Sequence, residues 1–255
     1  MGDKMVINLK KKIEVKKIDN KLELPHDIRS KIDIFWKEQV EKNPHLFNGE
    51  VWSVTKLEEL ENEIKLWIQK TDYAHYLFDE RVGLEGENAC YNLNSGILLE
   101  TKDGYYIIGE MNEITSYPNG LQISGGSLDQ NDIMADGKVD IVNNIARELK
   151  EELNIDLFDK KIVKEYRLKY LEIPEGRRHA YTPMMKGVLN ITSAQMEEMY
   201  NNYEKFLENN NEDVEFKKLH FIKKDNAIKT LRVLTNQKRP YLEKLIELDS
   251  AERDR

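Results

Sequence analysis

The run Arg147-Glu148-Leu149-Lys150-Glu151-Glu152-Leu153 holds the densest chemistry in this sequence. The residues around it predict a helix from about Asp140 to Leu153. On a helix, carboxylates at i, i+3 and i+4 stand side by side, so Glu148, Glu151 and Glu152 share one face. Like charges held together repel and call for a counter-charge. A hard divalent cation is the natural one. Arg147 lies one turn before Glu151 and can brace it, whereas Lys150 points elsewhere. The same run also has a plainer meaning, a solvated acidic face.

These side chains must be held by something. Val142, Ile145, Ala146, Leu149 and Leu153 form an apolar stripe that can bury against a sheet while the acids sit at its edge. Upstream, a short strand over Leu121–Ser124 runs into Gly125-Gly126. A glycine pair there lets backbone approach a ligand closely, or simply makes a tight turn. Strands over Gly96–Thr101 and Tyr105–Glu110 flank the turn Lys102-Asp103-Gly104. Downstream come strands near 164–173 and 183–190, joined by a loop that contains Arg177, Arg178 and His179. A helix follows from Ser193 to about Glu208, with Thr192 and Gln195 spaced as a capping box. The strand Val214–Ile222 and a helical stretch to about Leu248, broken at Pro240, complete the pattern.

The first eighty-odd residues read differently. Weak strands within 5–24 precede a helix from Pro25 to Lys42 with Ile28, Ile32, Phe35, Trp36 and Val40 on its apolar stripe. Two strands, 50–57 and 63–73, form a hairpin, and Asn48-Gly49 is a turn signal. Trp52, Trp67 and Tyr73 can stack on a base or belong to the core. The stretch Gly83–Asn88 is the linker candidate, which divides the chain into 1–88 and 89–255.

A chain of 255 residues can bury a proper core. Its net charge of -8 gives no global basic field for nucleic acid or an anionic membrane. No apolar run approaches membrane-spanning length, and the lysine-rich start has no apolar signal segment. Cys90 is the single cysteine, which fits a reduced, cytoplasmic setting and a packed, inert thiol.

From Gly125 to Ile155 the residues resemble the Nudix hydrolases. The box of that family is a glycine, five residues, a glutamate, seven residues, then Arg-Glu-hydrophobic-any-Glu-Glu-any-Gly-hydrophobic. Residues 147–155 match its second half at all but one fixed position, where Asn154 replaces glycine. Asparagine is the next most tolerant residue for the left-handed conformation expected there. Two further departures lie upstream. Gly126 to Arg147 is seven residues longer than the family spacing, which puts an insertion near Asp129–Lys138. The isolated glutamate, counted back from the arginine, falls on Val139. The stretch 43–49, Asn-Pro-His-Leu-Phe-Asn-Gly, is similar to the segment that precedes the core in Nudix proteins acting on nucleotide sugars.

The resemblance implies an α/β fold, a Nudix α/β/α sandwich with a mixed sheet over 89–255 and a C-terminal helix, preceded by an N-terminal α+β extension over 1–88. It implies hydrolysis of a nucleoside diphosphate linked to another moiety, such as a UDP-sugar or ADP-ribose. Glu148, Glu151 and Glu152, with the Gly126 carbonyl, would ligate Mg²⁺ or Mn²⁺, and Arg147 would orient a glutamate. Gly125, Arg177 and Arg178 are candidates to hold substrate phosphate. A box glutamate, or Glu212, Asp213 or Glu215 on a later loop, is the candidate base. The partner is then a small molecule, not nucleic acid or membrane, and a homodimer is left open. A second reading, motivated by Val139 and the insertion, is a Nudix-fold module that senses a nucleotide without cleaving it. A third is a protein-interaction domain with an acidic helix.

Overall fold

The computed structural model describes residues 5–115, 117–176 and 179–251. Strand β10 (Ala180–Leu189) is its axis. It runs parallel to β6 (Gly96–Glu100) and antiparallel to β9 (Val163–Glu172). Beyond β6 lie β7 (Tyr105–Met111) and then β11 (Phe216–Lys223), both antiparallel to their neighbours, with short β8 (Leu121–Gln122) also on β7. Strand β1 (Val6–Asn8) pairs with the far edge of β9. The first residues of β10 also pair with β5 (Asn92–Leu93), which leads on to β3 (Glu50–Glu59), β4 (Glu63–Asp72) and β2 (Lys12–Lys17).

Successive strand residues point to opposite faces, and here both faces are covered. Ile97, Leu99, Ile107 and Met185 meet α3 (Ile141–Leu153) and α4 (Ser193–Asn210). Leu98, Tyr106, Ile108 and Met184 meet α5 (Ala227–Val233) and α6 (Tyr241–Ala251) on the other side. That two-sided burial explains why β6 is wholly apolar apart from its ends. The result is an α/β/α sandwich around a mixed sheet. A smaller cluster of Ile32, Ala74 and Phe78 joins α1 (His26–Lys42) to α2 (Tyr73–Arg81).

Helix α2 differs from expectation, since the strand predicted over 63–73 stops at Asp72 and Tyr73 opens a helix. The cause is capping. Asp72 accepts from the His75 N–H at 3.1 Å, and Asn48 Oδ1 accepts from the Ala74 N–H at 2.7 Å. Asn48, in the turn that precedes the hairpin, therefore also caps α2. Of the α1 stripe only Ile32 is fully buried; the rest is half-buried. Trp52 is core and Trp67 half-buried. Segment 83–88 is tied to α2, because Asp79 accepts from the Leu84 and Cys90 N–H groups at 2.6 and 2.9 Å. Pro240 separates α5 from α6, and Asn154 ends α3 with φ 54°. Burial pushes the Cys90 thiol up, as an inert thiol requires.

The insertion is a small hairpin. The Met134 N–H bonds the Lys138 carbonyl at 2.8 Å, and Ile133 pairs with Val139. Its outer arm pairs with β2: the Val139 N–H bonds the Val15 carbonyl at 3.0 Å and the Lys17 N–H bonds the Gly137 carbonyl at 2.8 Å. The extra residues thus tie the N-terminal segment to the loop that leads into α3.

Candidate active site

Helix α3 starts at the Asp140 cap, which accepts from the Asn143 N–H at 3.0 Å. Asn144, Glu148 and Glu152 follow at intervals of four residues, so they stack along one line that faces the sheet. Arg147 and Glu151 occupy the next line outward. The helix therefore divides the three acids that the sequence places on one face. Glu152 is 4% exposed. The Glu151 side chain is 59% exposed and pairs with Arg147 at 3.1 Å.

The glycine pair meets the inner line. The Gly125 N–H donates to Glu152 Oε2 at 2.9 Å. Gly125 has φ 143°, and a Cβ there would stand 2.2 Å from the Ser95 carbonyl oxygen. A Cβ on Gly126 would stand 2.7 Å from the Glu148 carboxylate. Only a bare backbone lets the carboxylate come this close. The Gly126 carbonyl accepts from the Ser95 N–H at 2.9 Å, which leaves one lone pair.

Glu215, just before β11, brings a third carboxylate. Burial raises Glu148 to about 7, with Glu151 and Glu215 adding and Arg147 opposing. Burial, and then the Glu215 charge, raises Glu152 well above the usual carboxylate range. Burial also raises Glu215, and its contact with Glu152 only partly offsets this. Glu152 Oε1 is buried and accepts no hydrogen bond, although the Ser124 hydroxyl is near enough to lower its pKa somewhat against burial. Buried carboxylates that face one another with so few donors favour a proton or a cation between them. Glu212 and Asp213 are exposed.

Arg147 is braced from behind by an acid absent from the sequence reading. Its Nη2 lies 3.2 Å from buried Asp132 Oδ2 and 2.9 Å from Glu148 Oε1. These acids hold its guanidinium charged despite burial. Asp132 also accepts from the Asp129 N–H and from Asn144 Nδ2, each at 2.8 Å. Asn144 bonds Ser95 and, at 3.2 Å, the Ser127 carbonyl, which fastens the loop to the helix. The signal was available by counting forward: Gly126, five residues, then Asp132. The expectation that Val139 fills the acid's place is corrected, because the added residues lie after Asp132. Val139 is core.

The Glu148 and Glu215 carboxylates and the two glycines line a cavity of about 310 Å³. Its other walls include Tyr73 and Tyr76 of α2 and Arg239, between α5 and α6. Arg239 escaped the sequence reading, because only a fold places it beside residues more than a hundred positions earlier. Arg177 and Arg178 lie outside the described residues. His179 is held by Asp79 at 2.7 Å.

Among the described residues no three acidic, histidine or cysteine side chains form a ready-made cage for a metal. What exists is an open, all-oxygen set: Glu148, Glu152 with its orphaned oxygen, Glu215 and the Gly126 carbonyl. Mg²⁺ is ordinarily held in this way, by one or two carboxylates with waters and substrate phosphate completing the shell, so the residues fit that ion.

No family model matches the sequence, and no curated protein is similar to it. Solved structures with a similar arrangement include a MutT protein from Methanosarcina mazei Go1, at 11% identity and TM-score 0.40, covering 64% of this chain and 95% of that one. They also include a Nudix hydrolase from Nitrosomonas europaea, at 12% identity and TM-score 0.36, covering 64% and 89%. Likeness at this level carries nothing about activity. The chain's own α/β/α sandwich, with its glycine pair beside the acidic helix, has the arrangement that the resemblance in its sequence implies. No described helix is long and apolar enough to cross a membrane.

Proposed function

We propose that this chain is a Nudix pyrophosphohydrolase, which uses a divalent cation to hydrolyse the diphosphate linkage of a nucleoside diphosphate joined to another moiety. A nucleotide sugar such as a UDP-sugar, or ADP-ribose, is the favoured substrate. The observation that carries this reading is the meeting of Glu148, Glu152 and Glu215 against the Gly125-Gly126 backbone, with Glu152 Oε1 unpartnered. Residues 89–255 would form the catalytic unit and 1–88 an extension that walls its cavity.

Glu148 and Glu152 would hold Mg²⁺ or Mn²⁺, with the Gly126 carbonyl and Glu151 at its margin. The bound cation would neutralise charge on the diphosphate and make a water more acidic. Arg147, fixed by Asp132, keeps Glu148 aimed into the cavity. Glu215, raised by burial above the ordinary carboxylate value, is a stronger base than an exposed glutamate and is suited to take the proton of the attacking water. Glu212 and Asp213, both exposed, are less suited to that role. Asp132 against Arg147 weighs against a module that binds without cleaving, since one of the two motives for that reading was the acid missing at Val139; the other, the insertion, stands.

The test is a panel of nucleoside diphosphate derivatives with Mg²⁺ or Mn²⁺ and identification of the products. Glu152→Gln should abolish turnover, keep the fold and cancel the rise in melting temperature that metal gives the wild type. A wild type that cleaves no member of the panel refutes the proposal. Undiminished turnover in Glu152→Gln moves the metal site elsewhere.

A further inference from the structure

Two walls of the cavity take no part in the chemistry just described. One is Tyr73 and Tyr76, one turn apart on α2. Their ring centroids lie 5.6 Å apart with the planes tilted by 46°. Both are half-buried, whereas the flanking Ala74, His75, Leu77 and Phe78 are buried. Asn48 and Asp72 fix the start of this helix, and Trp36 meets Tyr73 edge-on at 6.0 Å. Within the motif at 43–49, Asn48 and the Gly49 carbonyl thus hold the first turn of the helix that brings Tyr73 and Tyr76 to the cavity wall.

The other wall is Arg239, the one cation among the described residues that line the cavity. Backbone pairing places it, with the Arg239 N–H on the Leu121 carbonyl at 3.0 Å and the Leu121 N–H on the Gln237 carbonyl at 2.8 Å. Leu121 belongs to the strand that runs into Gly125. The guanidinium lies 4.1 Å from the Tyr117 ring centroid, and its Nε donates to Gln122 Oε1 at 3.2 Å. Glu80 links the two walls, accepting from the Tyr76 hydroxyl at 3.2 Å and lying 3.7 Å from Arg239 Nη1. In a cavity with carboxylates on one side, positive charge on another side adds to that of a bound cation in favouring an anion. A planar, oriented guanidinium suits a phosphate.

We infer that Arg239 binds the phosphate of the bound nucleotide and that the Tyr73–Tyr76 face packs against its base, which makes the N-terminal segment the element that selects the nucleotide. The inference rests on the site's taking a nucleoside diphosphate derivative, and it does not depend on cleavage.

The test is calorimetry on the full chain with Mg²⁺ and three non-hydrolysable probes: α,β-methylene-UDP, α,β-methylene-ADP and methylenediphosphonate. At least one nucleotide should bind the wild type about tenfold more tightly than methylenediphosphonate. Arg239→Met should weaken that nucleotide and methylenediphosphonate alike, by about tenfold. Tyr76→Leu, and Tyr73→Leu where its melting temperature is kept, should weaken the nucleotide by about tenfold and leave methylenediphosphonate within about twofold. The inference is overturned if neither nucleotide binds the wild type, if Arg239→Met changes nothing, or if Tyr76→Leu weakens both probe types equally. Binding with this pattern but no turnover on the substrate panel would sink the hydrolase reading and keep this one. Turnover that is indifferent to Arg239→Met and to the tyrosine variants would do the reverse.

Discussion

Gly126→Ala isolates the site from the fold. Gly126 is not among the residues with positive φ, so alanine suits its backbone. The added Cβ would stand 2.7 Å from the Glu148 carboxyl carbon, where ordinary contact begins at 3.4 Å. The difference, 3.4 minus 2.7, requires the carboxylate to retreat by about 0.7 Å. Retreat also disturbs its 2.9 Å pair with Arg147. A displacement near 1 Å in a reacting constellation costs on the order of a hundredfold in rate, so turnover should fall about 10- to 100-fold. Mn²⁺ affinity, read by electron paramagnetic resonance without substrate, should fall about tenfold. The melting temperature should stay within about 3 °C, since no buried contact of the core is lost. Gly125→Ala is the contrasting variant, because its Cβ meets the Ser95 backbone at 2.2 Å with φ 143°, so it should lose about 2 kcal/mol of stability instead. Wild-type metal affinity and turnover in Gly126→Ala would refute the placement of Glu148 at the metal.

Three further outcomes follow from the geometry. Asp132→Ala leaves the Asp129 N–H without its acceptor, takes one of two acceptors from Asn144 Nδ2 and the buried counter-charge from Arg147 Nη2, and should cost about 3 kcal/mol in urea unfolding; a loss under about 1 kcal/mol would show that Asp132 does not organise the loop. Asp249 is a pH lever: burial raises it, but Lys186, the Tyr106 and Tyr170 hydroxyls and Lys224 outweigh that and depress it, although burial depresses Lys186 itself. A depressed folded pKa gives stability that is present above the ordinary aspartate value, about 4, and lost as pH falls below it, so the urea midpoint should drop from pH 5 to 3 in the wild type and stay flatter in Asp249→Asn; parallel profiles would contradict this. Asn154→Ala should lose about 1 kcal/mol at its left-handed φ of 54° while Asn154→Gly loses none, and equal losses would point instead to the Lys150 bond to Asn154 Oδ1.

Where local pattern decides, sequence and structure agree. The α3 stripe, the Asp140 cap, the Thr192–Gln195 box of α4 and the break at Pro240 depend on residues within one or two turns of one another. Tyr73 shows the limit of such reasoning. Its alternating neighbours read as strand until Asn48, far upstream in sequence, caps the helix that starts there. Counting back from Arg147 likewise put the insertion on the wrong side of the acid, since sequence spacing does not reveal which residues of a loop fold away. The hairpin at 133–139 folds away to pair with β2, while Asp132 just before it meets Arg147.

The acids of α3 show the same division. Their types, order and helical spacing were determined by the sequence, as was the glycine pair that lets backbone reach them. Tertiary structure decided which acids matter together: Glu148 and Glu152 turn inward to meet Glu215, the residue just before β11, and Glu151 turns out to Arg147. It also decided the cavity's far walls, Tyr73, Tyr76 and Arg239. The reason is physical. Helical periodicity is a local property of the chain, whereas burial, charge coupling and the convergence of side chains from distant segments exist only once the sheet has brought those segments together.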